Sequence, residues 1–457
     1  MKAVEIWLSK IETWIWGAPL LSLLIIVGLY LTIALRWIQF RYLFYSLKLA
    51  FTRQDEKSQG DISQFQSLMT ALAGMIGIGS ITGVATAIAM GGLGAVFWMW
   101  VASLIGMATK YAEAILAVKY RDVDERGEMR GGPMIYLEKG LKSKGLAVFF
   151  SFAGAITALV TGNMVQANSI AAAVQGWIDP LWVGIILSAA TGLALFGGIK
   201  SIGKVASWLV PGMAIFYILG GLILIALRIE ALPHAFGEIF RQAFSGQAIV
   251  GGFAGSTLMM AIQFGVSRSV FSNEAGLGTA PIAAAAAKTD VPGRQALISM
   301  SGVFLTSIVV CSISALAIAV SGLLGQTGPD GLLLNGSLLA MGAFQQVLPF
   351  GSFVVILSLI LFGYSTIIGW AFYGEKCTAY LFGTSSVRWY RLLFSAALIP
   401  GAILSLQSVW SFANIMNGFM AFPNLIGLLG LSAIVIAETR EFEKLLRFER
   451  SSTKGIP

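Results

Sequence analysis

Long apolar stretches recur from one end of the chain to the other, separated by short polar breaks. Most approach or exceed the roughly 20 residues a helix needs to cross a bilayer. Eleven spans follow from this pattern: 17–36, 64–90, 95–118, 146–175, 180–198, 205–228, 248–272, 295–323, 350–376, 389–406 and 410–437. Ahead of them, Val4, Trp7, Leu8, Ile11 and Trp14 recur at helical spacing, with Lys2, Glu5, Lys10 and Glu12 between them. Residues 1–16 are therefore expected to form an uncleaved amphipathic helix at the membrane surface, not a signal peptide.

Composition sharpens this into an all-α polytopic membrane protein. Of 457 residues, 57% are apolar and only 11% charged, and the mean hydropathy is +0.81, so no segment is polar and long enough for a separate soluble domain. The net charge of +8 does not point to nucleic acid, because the basic residues lie in short loops. If successive loops alternate sides, one set holds 25 of the 30 Lys and Arg residues. That set is expected to be cytoplasmic, which places the N-terminus outside and the C-terminus inside a plasma (inner) membrane. Cys311 and Cys377 fall in or beside apolar spans and read as buried thiols, and the single His234 leaves little room for histidine chemistry.

Two spans carry glycine and small polar residues where a lipid-facing helix would carry Leu or Val. These are Ala73 to Ser80 (AGMIGIGS) and Ala261 to Ser267 (AIQFGVS). Their positions as second and seventh spans give spans 2–6 and 7–11 opposite topology, as in an inverted repeat with its binding site at interrupted helices. Close helix packing through Gly79-x-x-x-Gly83 and Gly251-x-x-x-Gly255 would explain the same glycines. The expected division is an extra helix and loop over 17–63, a first five-helix unit over 64–230, a second over 248–438, and a cytoplasmic tail over 439–457.

Residues 91–106 (GGLGAVFWMWVASLIG) resemble the signature of the alanine/glycine cation symporter family. Further blocks match in order: KYAEAILAVKYR from Lys110, GGPMIYL from Gly131, GNMVQANS from Gly162, FSNEAGLGTAPIAAAAAKT from Phe271 and STIIGWAFYGEKC from Ser365. The resemblance implies a LeuT-type fold, a 5+5 inverted repeat preceded by one extra helix, and symport of a small neutral amino acid with sodium. The chain departs from the family near the expected site. Ile78 and Ser80 stand where Thr and Asn are usual, Gln263 where Arg is usual, and Ser267 and Ser269 where Ala and Gly are usual. These departures bear on which amino acid is carried.

A zwitterion at the bilayer midplane must meet fixed dipoles, since an isolated charge there costs several kcal/mol. No charged side chain lies between Gln64 and Thr109 or between Gln242 and Ser267, so backbone must supply most of the contact. An unwound Gly77-Ile78-Gly79 would offer N–H groups to the carboxylate, and carbonyls at Gln263, Phe264 and Gly265 would face the ammonium. Ser80, Gln166, Thr366 and Trp370 are the candidate specificity residues. Trp370 and Phe264 also suit plain packing, and Gln166 an interhelical hydrogen bond. The LeuT-type pattern maps a sodium site, as coupling ion and without any other cofactor, onto Ala73, Ile76, Ser365 and Thr366. Lys110, Glu113, Arg268, Glu274, Glu375 and Lys376 are candidates for a gate at the cytoplasmic ends, with snorkelling and helix capping as the alternative. A proton-coupled permease and a channel are the competing functions. An enzyme is not expected, because the spans offer no nucleophile with its base.

Overall fold

The Ser63-Gln64-Phe65-Gln66 run starts the helix that carries the site. Ser63 Oγ accepts from the Gln66 amide at 3.1 Å and Gln66 Oε1 accepts from the Ser63 amide at 3.1 Å, a reciprocal cap. In the computed structural model, the described residues are 2–52, 58–245, 258–289, 291–328, 331, 333–404 and 406–454. They form an almost entirely helical bundle whose only regular sheet, among these residues, pairs Asp122–Val123 with Met129–Arg130 in a small hairpin.

Seven of the described helices are long and apolar enough to cross a membrane: Lys10–Ala34, Gly94–Tyr120, Lys144–Ala173, Gly198–Leu227, Pro292–Ser321, Gly351–Phe382 and Val409–Gly430. Other expected spans appear as shorter helices, including Pro180–Leu195 and Val387–Ile403. The first turns of Gly198–Leu227 contain Lys200 and Lys204, which the hydropathy pattern assigns to a loop. Both are exposed on the helix surface, where a long aliphatic stem lets the ammonium reach a polar layer. The last expected span, 410–437, divides at Leu431 into Leu406–Gly430 and a separate, more polar helix, Ser432–Lys454, that takes up most of the expected tail.

The span expected over 64–90 is broken. Gln64–Met75 ends at Ile76, Gly77 is extended (φ −110°, ψ −167°), Ile78–Ser80 makes one tight 3-10 turn, and Thr82–Gly91 resumes the helix. It stops at Gly92, whose φ of 72° suits glycine. The span expected over 248–272 behaves differently. Its first residues, with Gly251-x-x-x-Gly255, lie outside the described residues, and the remainder is one continuous helix, Leu258–Asn273. The expectation of free carbonyls at Gln263, Phe264 and Gly265 is therefore corrected. A Cβ on Gly265 would lie 2.4 Å from the Ala95 carbonyl and 2.8 Å from Trp98 Cβ, so this glycine serves close packing against Gly94–Tyr120.

Candidate functional site

The break at Gly77 leaves backbone groups without helical partners, and neighbouring helices satisfy some of them. Ala73 O accepts from Thr366 Oγ1 at 3.0 Å and from Ser365 Oγ at 3.4 Å, both on Gly351–Phe382. On the other side of the break, the Ile78 amide donates to Gln166 Oε1 at 3.5 Å, while Gln166 Nε2 donates to Thr161 O at 3.0 Å. Thr161 belongs to a π-helical stretch, Val160–Met164, inside the long helix Lys144–Ala173, a wider turn often found at functional sites. No side chain caps the first turn of Thr82–Gly91.

Gly77, Gln166 and Thr366 thus converge. A Cβ on Gly77 would lie 2.5 Å from Thr366 Oγ1 and 3.5 Å from Gln166 Oε1, so only glycine admits this approach. Trp370, one helical turn beyond Thr366, packs its side chain on Gly162, where a Cβ would come within 2.1 Å of Trp370 Cβ. Ile78, Ser80, Gln166, Thr366 and Trp370 are all buried, so the centre is closed to solvent in this conformation. Of the residues mapped to sodium, Ser365 and Thr366 both reach Ala73 O, although Ser365 Oγ bonds more closely to Phe362 O of its own helix at 2.9 Å, and Ile76 caps the end of the Ala73 half-helix.

Ser80 faces away from this group. Its hydroxyl pairs with Ser272 Oγ at 3.0 Å, and its carbonyl accepts from Ser314 Oγ at 2.7 Å. Gly79 is covered by Phe271, two helical turns beyond Phe264, and the Phe271 ring packs tilted against Trp410 with ring centres 5.2 Å apart. Arg268, expected among the gate residues, instead lies over Trp410 and Phe271 at 5.2 and 5.8 Å. Gln263 and Phe264 are half-buried within the continuous helix.

The other charged candidates separate into groups. Lys110, Glu113 and Glu274 are buried together: Lys110 Nζ donates to the Glu274 carbonyl at 2.9 Å and lies 3.6 Å from Glu113 Oε2. Glu113 Oε1 accepts from the amides of Gly276 (3.0 Å) and Gly278 (3.1 Å) and from Asn424 Nδ2 (2.7 Å). Both glycines have positive φ, 90° and 80°, which turns their N–H groups inward. Sequence reasoning missed this anion cradle, although the Glu274-Ala-Gly-Leu-Gly-Thr run within the family block is its signal. Glu375 instead pairs with Arg391 through two bonds of 2.7 and 2.8 Å. Lys376 holds Glu128 at 2.8 Å and Asp124 at 3.4 Å in the hairpin. Beside that hairpin, burial raises the Asp61 carboxyl above the usual aspartate range. The Met129 amide, at 2.8 Å from Asp61 Oδ2, and the Lys376 ammonium pull it partly back.

The profile of the "Sodium:alanine symporter family" matches residues 1–454. The sodium/alanine symporter AgcS of Methanococcus maripaludis is 51% identical over 96% of this chain and 98% of its own length. The probable sodium/glutamine symporter GlnT of Bacillus subtilis is 34% identical over 93% of this chain and 89% of its own. Among solved structures, MhsT in complex with L-phenylalanine aligns with a TM-score of 0.51 at 14% identity, covering 83% of this chain and 99% of that one. Mutants of the Eremococcus coleocola manganese transporter align with scores of 0.50 to 0.51. At such identities the structural likeness shows the fold alone, and that fold is the LeuT type. With a profile match over nearly its whole length and a relative at half identity, the chain belongs to the sodium:alanine symporter family and is a multi-pass membrane transporter, not an enzyme.

Proposed function

We propose that the chain is a secondary active symporter that takes up a small neutral amino acid together with sodium by alternating access. The observation that carries this reading is the Gly77 break, with Gln166 and Thr366 drawn onto it from two other helices. The backbone amides of the broken turn at Gly77, Ile78 and Gly79, of which that of Ile78 is held by Gln166 Oε1, suit a carboxylate. The carbonyl of Ala73 and the hydroxyls of Ser365 and Thr366, with Ile76, suit a hard monovalent cation, which prefers oxygen ligands. Trp370 and Gln166 shape the wall. Ser80 acts from behind the break through Ser272, and Gln263 and Phe264 approach from the neighbouring helix.

Because the centre is buried, a ligand enters or leaves only when one side opens, and movement of residues 64–230 against 248–438 supplies that opening. One sodium ion suffices as the driving force. A potential of about 100 mV gives about 2.3 kcal/mol, and a tenfold gradient adds about 1.4, enough for several hundredfold accumulation. The substrate belongs to the alanine/glycine class or is a related neutral amino acid. The names of the relatives include both alanine and glutamine carriers, and Ile78, Ser80, Gln263, Ser267 and Ser269 are the positions near the site at which this chain departs from the family pattern. The concentration of basic residues in one set of loops supports an outside N-terminus and a cytoplasmic C-terminus.

Purified protein in vesicles should accumulate radiolabelled alanine, glycine or glutamine when a sodium gradient is imposed. Equal accumulation from a pH gradient in sodium-free buffer would replace this reading with a proton-coupled permease. Flux without accumulation would replace it with a channel.

A further inference from the structure

Charge balance around Lys110 is incomplete. Lys110 and Glu113, on the Gly94–Tyr120 helix, and Glu274, just beyond Leu258–Asn273, are all buried, so one ammonium faces two carboxylates. Glu113 Oε1 accepts from two backbone amides and Asn424, and its Oε2, without a hydrogen bond of its own, faces the Lys110 ammonium 3.6 Å away. Glu274 is not. Its Oε2 accepts only from Thr279 Oγ1 at 2.5 Å, its Oε1 has no hydrogen-bond partner, and Lys110 is bonded to its backbone carbonyl. An uncompensated carboxylate in a low-dielectric interior is costly enough to demand either a proton or a further positive charge.

The bare oxygen is aimed at the transport centre. A Cβ on Gly74 would lie 3.1 Å from Glu274 Oε1 and 3.2 Å from Tyr373 Oη, and that phenol oxygen is also buried without a partner. Two unpartnered buried oxygens therefore meet beside Gly74, the residue that follows Ala73.

We propose that Glu274 Oε1 and Tyr373 Oη, beside Gly74, form a second site for a small monovalent cation, adjacent to the one at Ala73, Ser365 and Thr366. The donor set is hard oxygen, as an alkali cation prefers, and water completes the shell. The added charge neutralises Glu274, and its position one residue from Ala73 makes it a relay for sodium moving between the centre and the Lys110 end of the bundle. The proposal rests on the sodium-symport reading and adds a binding site to it.

The test is equilibrium binding of radioactive sodium to the purified full chain, with Glu274→Gln, Tyr373→Phe and Thr366→Ala alongside. The expected result is two ions per wild-type chain and one per Glu274→Gln chain, with Tyr373→Phe weakening one ion about tenfold. Thr366→Ala should weaken the other ion, and the ion that each variant still binds as the wild type does shows that it is folded. One ion in the wild type that Glu274→Gln retains would overturn the second site and leave the symport reading intact. One ion whose binding becomes independent of pH in Glu274→Gln would assign the missing charge to a proton and also overturn it. No sodium bound by the wild type would overturn the symport reading itself.

Discussion

The Gln166 side chain joins two irregular backbones, accepting from the Ile78 amide at 3.5 Å and donating to the Thr161 carbonyl at 3.0 Å. It thereby couples the unwound turn of one helix to the π-helical turn of another. Gln166→Ala removes both bonds, each worth about 0.5–1.5 kcal/mol. Amino-acid affinity at saturating sodium should fall roughly 5- to 150-fold, as read by calorimetric titration. Unchanged affinity would remove Gln166 from the site.

Thr366 meets Ala73 O at 3.0 Å with a hydroxyl that Thr366→Ala deletes and Thr366→Ser keeps. The sodium concentration giving half-maximal amino-acid binding should rise about tenfold in the Ala variant and return to within about threefold of wild type in the Ser variant. Equal shifts in both variants would mean that the methyl group, through packing, is what matters.

Gly162 has no room for a side chain, since its Cβ would come within 2.1 Å of Trp370 Cβ, whereas Gly145 on the same long helix has nothing within 4 Å. Gly162→Ala should displace Trp370, lower amino-acid affinity and quench or shift tryptophan fluorescence on binding. Gly145→Ala should do none of these. Identical behaviour of the two variants would contradict the packing argument.

Asp61 carries a carboxyl that burial holds above its usual range while the Met129 amide donates to it. A raised folded-state value means the contribution to stability is fully present below the unfolded pKa and lost as pH rises through the folded one. Asp61→Asn keeps an acceptor for Met129 and removes the titration. Its thermal midpoint relative to wild type should therefore climb between pH 4 and pH 7.5 in a detergent-solubilised melt. A constant difference would show that Asp61 is not desolvated.

Much of this architecture is legible from residue patterns because a bilayer leaves the backbone few choices. Apolar length alone locates Gly94–Tyr120 and Pro292–Ser321 to within a few residues. The interruption at Gly77 is legible because glycine recurs there among small polar residues. The same signal misleads at Gly265, since an intramembrane glycine serves either an unwound turn or a tight helix contact, and only the opposing Ala95 carbonyl decides between them. The pairing of Ser80 with Ser272 and the amides of Gly276 and Gly278 on Glu113 join residues far apart in the chain. Local periodicity carries no information about such contacts.

The Gly351–Phe382 helix runs unbroken for 32 residues, roughly 48 Å, with Ser365 and Thr366 near its middle and Lys376 clasping the Asp122–Arg130 hairpin towards its far end. A rod of that stiffness carries a tilt set at its centre out to a surface turn. A fluorophore on the hairpin tip at Glu125 would then report occupancy of the distant proposed site, letting its filling be watched from the water.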